Sequence, residues 1–123
     1  MKDNIIQEKS FAFAIRIVRL YQYLCEEKKE FVLSKQLVRC GTSIGANIEE
    51  SIGGQSDRDF LSKISISYKE ARETRYFLRL LFATDYLEDR QFQSMLSDVE
   101  ELLKILGAIQ ITLKKKLDSK KDD

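Results

Sequence analysis

Gly53-Gly54-Gln55-Ser56-Asp57-Arg58-Asp59 is the stretch from which the fold is read. Two adjacent glycines end a helix that reaches them, because glycine gives up the most backbone freedom on ordering and leaves a helix without steric cost. Ser56 then offers a hydroxyl to the first free N–H groups of a new helix, and Asp59 adds a carboxylate three residues on, a near-match to a capping box. A second helix therefore stops at about Ser51, and a third starts directly after Ser56.

Toward the N-terminus, Leu37, Gly41, Ile44, Ile48 and Ile52 recur at three-and-four spacing and define the apolar seam of that second helix, which is expected from about Lys35 with Ser34 as its cap. Gly41 and Gly45 leave a strip without side chains. A glycine costs up to ~1 kcal/mol inside a helix, so this strip points to a close approach by another chain segment. Glu26-Glu27-Lys28-Lys29-Glu30 is polar throughout and reads as a loop. Before it, a first helix from roughly Asn4 to Lys28 carries two apolar stripes. Phe11, Ala14, Ile15, Val18, Tyr21 and Cys25 form one, and Phe13, Ile17, Leu20 and Leu24 the other. Two stripes imply burial on two sides, and in so small a chain the second, Phe13, Ile17, Leu20 and Leu24, is expected to meet another subunit.

Toward the C-terminus, the third helix runs to about Thr84 through Phe60, Ile64, Tyr68, Ala71, Leu78 and Phe82, and after Asp85-Tyr86-Leu87 a fourth carries Phe92, Met95, Val99, Leu102, Leu106, Ile109 and Leu113. These two helices would be roughly 40 Å long, and short connections force each helix to return beside its predecessor. The expected fold is all-α, an antiparallel up-down-up-down four-helix bundle over residues 1–117. Residues 118–123 lose apolar periodicity and are expected to be a disordered lysine and aspartate tail.

Composition agrees with one such domain. The chain has 123 residues, 43% hydrophobic and 33% charged, with no proline to break a helix. Cys25 and Cys40 are too few for a disulfide framework and read as small buried hydrophobes of a reduced compartment. No signal-peptide core or membrane-length apolar run is present, so a cytoplasmic location without membrane contact is expected. The chain has no histidine, which removes the usual general base, the usual triad partner and a common metal ligand. Neither Glu49-Glu50 nor Glu70-x-x-Glu73 completes a di-iron Glu-x-x-His motif. The four glycines of the second helix and its end lack phosphate-loop spacing. No catalysis, metal or cofactor is expected.

Two polar patterns remain. Arg39, Ser43, Asn47 and Ser51 recur every four residues along the second helix, with Glu50 beside them, a row suited to hydrogen bonding with another helix. On the third helix Lys69, Arg72, Arg75 or Tyr76, and Arg79 recur at three-to-four spacing. Cations aligned with an aromatic suit phosphate contact and base stacking, while the plainer alternative pairs the arginines with Glu70 and Glu73 on the same helix. Arg16, Arg19 and the lysine-rich tail could extend such a patch. Net charge is only +1, so attraction to phosphate would have to be local.

The run from Leu37 to Ser51, followed by Asp59-Phe60 and by Tyr68 to Leu78, closely resembles the bacterial four-helix-bundle family of 23S rRNA intervening-sequence proteins. Its most specific parts are Ser-Ile-x-Ala-Asn-Ile-x-Glu at Ser43 to Glu50 and Lys-Glu-Ala-Arg-Glu-Thr at Lys69 to Thr74. Phe77 stands where tryptophan is usual, and Ser51 where glycine is often found. The resemblance implies a four-helix bundle and a cyclic homopentamer, without an established activity. A related accessory protein of diversity-generating retroelements, a basic barrel that contacts nucleic acid and a reverse transcriptase, adds RNA or DNA to the expected partners. The expectations are a homo-oligomer binding nucleic acid through Lys69, Arg72, Arg75 and Arg79, or a protein-protein scaffold with no such role. Arg39, Ser43, Asn47, Glu50, Glu70 and Glu73 are expected to form a polar network that sets register or subunit contacts.

Overall fold

The computed structural model describes residues 2–121, and side chains from 5 to 120. It contains α1 (Lys2–Glu26), α2 (Leu33–Ile52), α3 (Asp57–Ala83) and α4 (Asp89–Lys121). Each helix packs on the next in chain order, and α4 returns to α1 through the thinnest contact of the four. The pairs Lys9–Glu101 and Arg16–Asp98 run in opposite directions along α1 and α4, which closes an antiparallel up-down-up-down bundle. Ile17, Leu24, Leu37, Ile44, Ile64, Leu78 and Leu106 are completely buried and form its axis.

The two stripes of α1 are assigned the other way round from the sequence reading. Phe13, Ile17, Leu20 and Leu24 are core residues, continuous with Ile6 and the buried Ser10. Phe11, Ile15 and Val18 face solvent at 67%, 45% and 39% exposure. Gly41 gives the physical reason: a Cβ there would lie 2.8 Å from two carbons of Ile17, so the Ile17 face of α1 must meet α2. At Gly45 a Cβ would only touch Ser10 at 3.4 Å.

The helix ends also depart from expectation in two places. Ser34 does not cap α2, which begins one residue earlier, at Leu33. Glu30, buried and not part of an exposed loop, accepts from the backbone N–H groups of Val32, Leu33 and Ser34 instead. The residues before it leave α1 through Lys29 at φ 54, a left-handed exit. At the far end, α4 stays helical to Lys121 and does not fray after 117. Lys116 and Lys120, one turn apart, both reach Asp57 in the first turn of α3, at 3.2 and 2.9 Å. Residues 122 and 123 of the expected tail lie outside the described residues. The boundary at Ser56 is as read: its side chain accepts from Asp59 N–H at 3.1 Å.

Candidate nucleic-acid interface

α3 turns Ile64, Ser67, Ala71, Thr74, Leu78 and Leu81 inward. Small residues at three of these positions let α3 lie close to α2, and the buried Ser67 hydroxyl donates across the gap to Ile44 C=O at 2.8 Å. The opposite face carries Lys69, Arg72, Tyr76 and Arg79, all exposed, at steps of three, four and three residues, which puts them in one row.

The close approach decides what happens to the neighbouring carboxylates. Arg39 of α2 reaches across to Glu70, at 3.4 Å, and to Glu73. Both acids of α3 that could have neutralised its own arginines are thus drawn to its α2 flank. Among the described residues Lys69, Arg72 and Arg79 enter no ion pair, and Arg75 leans toward Glu100 of α4 at 3.9 Å. Tyr68, Lys69, Arg72, Glu73, Arg75, Tyr76 and Arg79 line an open depression of about 450 Å³. Tyr76, 55% exposed, is held edge-to-face against Phe77 with ring centroids 5.3 Å apart. A three-cation row with an aromatic in it can neutralise phosphates and offer a flat apolar face.

The expected polar network is gathered only in part. Arg39, Glu70 and Glu73 meet, but Ser43 Oγ donates to Arg39 C=O and Asn47 Nδ2 to Ser43 C=O within their own helix. Glu50 pairs separately with Lys63 at 3.6 Å. A buried hydrogen bond from Ser67 adds to the Arg39 clamp in fixing α2 against α3, and it is absent from the expectations drawn from sequence. The heptad-like spacing of Ser67 from Ile64 and Ala71 was the available signal. Arg16 is also withdrawn from any basic patch, held by Asp98 and, at 2.7 Å, by Ser94 Oγ. The Cys40 thiol is buried, and burial pushes its pKa up, which leaves it a packing group.

The sequence profile of the 23S rRNA-intervening sequence protein family matches residues 2–108. The chain belongs to that family. A crystal structure of a protein of unknown function from the S23 ribosomal protein family of Bacteroides thetaiotaomicron is similar over 89% of this chain and 98% of its own, at 51% identity and a TM-score of 0.88. No curated protein matches. Within this member of the 23S rRNA-intervening sequence family, the two motifs of the resemblance occupy facing helices: Ser43 to Glu50 on α2 and Lys69 to Thr74 on α3. Glu70 and Glu73 of the second motif meet Arg39, which stands four residues before the first. Ser51, in place of the frequent glycine, is buried and satisfies its hydroxyl on Ile48 C=O at 2.6 Å. No helix among the described residues is long and apolar enough to cross a membrane.

Proposed function

We propose that this chain is a non-catalytic, cytoplasmic subunit of a homo-oligomer that binds RNA or another nucleic acid through the outward face of α3. The observation that carries the reading is the diversion of Glu70 and Glu73 to Arg39, which leaves Lys69, Arg72 and Arg79 beside Tyr76 without an ion pair among the described residues. Unpaired cations in a row attract phosphate even on a chain of net charge +1, because the field of a surface row is local at physiological salt. The oligomeric half is supported by Phe11, Ile15 and Val18, three large apolar side chains on one exposed face of α1. Five copies is the number that the family resemblance implies. The same α1 face also favours a protein-protein scaffold that needs no nucleic acid.

Salt dependence separates the two. Binding of a short single-stranded oligonucleotide should weaken as salt rises, with a log–log slope near −2, since three phosphate contacts contribute roughly 0.7 each. Replacing Lys69, Arg72 and Arg79 together with Gln should bring the slope close to zero. Arg75→Gln should change it less, because Arg75 already faces Glu100. Absence of binding at low salt would leave the scaffold reading standing alone.

A further inference from the structure

We infer that the α3 row takes a single strand and discriminates against duplex; this deepens, and rests on, the nucleic-acid reading above. Tyr76 follows Arg72 by four residues and precedes Arg79 by three, so its ring lies between two cations and not at the edge of the patch. An exposed ring in that position stacks on a base whose face is free. Inside a duplex each base face is already covered by its neighbours, whereas unpaired bases splay out onto such platforms.

The width of the row points the same way. It is one helix wide, and carboxylates border it on both sides: Glu73 on the α2 flank and Glu100, which faces Arg75, on the α4 flank. One strand can follow the cations. A duplex brings a second line of phosphates, which would be laid over those acids. Along its length the row from Lys69 to Arg79 rises about 15 Å, the span of roughly four stacked nucleotides on one strand. Its exposed members are three cations and one ring, so contact is through phosphate and stacking, and sequence preference is weak.

The test uses the full chain and one labelled RNA of mixed sequence, about 12 nucleotides long, within the range of single-strand site sizes. Its affinity is measured alone and annealed to its complement, at low salt, by fluorescence anisotropy. The single strand should bind at least about tenfold more tightly than the duplex, and Tyr76→Ala should weaken the single strand by about tenfold while leaving the salt slope unchanged. Tyr76→Phe should keep the affinity. Because Tyr76 is exposed, these variants fold, and a thermal melt checks that. Equal or tighter binding of the duplex overturns the single-strand inference and leaves the proposed function intact, as does a Tyr76→Ala variant that binds the single strand like the parent. No binding of either probe overturns the proposed function, and this inference with it.

Discussion

Glu30 sets the start of α2 with a carboxylate placed outside the helix it serves. One of its oxygens accepts from Ser34 N–H at 2.7 Å and the other from Val32 and Leu33 N–H at 3.1 and 3.0 Å, so it satisfies three donors that a helix start leaves open. Burial pushes its pKa up, but the N–H groups of Ser34, Leu33 and Val32 pull it down further, and the net position is below its ordinary 4.5. A depressed folded-state pKa means stability that is fully present above the ordinary value and is lost as pH falls through the folded value. Glu30→Gln should therefore cost about 1 kcal/mol at pH 7. The gap between parent and variant in urea melts should be present at pH 7 and narrow at a second, acidic pH, as the parent's carboxylate takes up its proton. A gap of the same size at both pH values would show that shape, not charge, is what the site requires.

At the scale of helices, the contact of α1 with α2 turns on two glycines that look alike in sequence. Gly41→Ala would force a methyl to within 2.8 Å of the branched part of Ile17, and β-branched side chains have little freedom to move aside. Overpacking of that kind costs ~1–3 kcal/mol and should outweigh the helix-propensity gain of up to ~1 kcal/mol. Gly45→Ala meets only ordinary contact with Ser10 and should be neutral or stabilising by up to ~1 kcal/mol. Thermal melts that moved in the same direction for both would contradict this geometry. The pair also shows what the sequence could and could not convey. Apolar spacing and the Ser56 cap were enough for four helices and their order, because they are local properties of the chain. Which stripe of α1 faces inward depends on what α2 presents, and two apolar stripes have no local difference in period. A longer count would have helped: Ile6, Ser10, Phe13, Ile17, Leu20 and Leu24 keep the alternation of four and three along the helix, while the stripe that starts at Phe11 has only Gln7 and Glu8 one turn before it. The row on α3 was legible as spacing. Its freedom from Glu70 and Glu73 was not, since Arg39 lies on another helix and only packing brings it there.

For the whole molecule, the apolar row of α1 and the basic row of α3 belong to helices at opposite corners of the bundle, with no close backbone approach between them among the described residues. An assembly made through α1 would leave α3 turned away from the contact, so the two surfaces can operate together. They are also separable by mutation. Phe11→Asp with Ile15→Lys changes two exposed positions, and surface substitutions of this kind usually shift stability by less than about 0.5 kcal/mol. Light scattering on the parent should give an oligomer, and the double variant should fall to the mass of one chain, still melting cooperatively but at a temperature lowered by the loss of the stabilisation that assembly supplies. A short oligonucleotide covering one α3 row should bind parent and variant with similar affinity, since its contacts come from one subunit. A long strand should bind the variant more weakly, because it loses the gain in effective concentration that joined rows provide. A parent that is a monodisperse monomer would remove the assembly and reduce the unit of function to a single α3 row. An oligomer that survives the double substitution would move the subunit contact to some other face of the bundle.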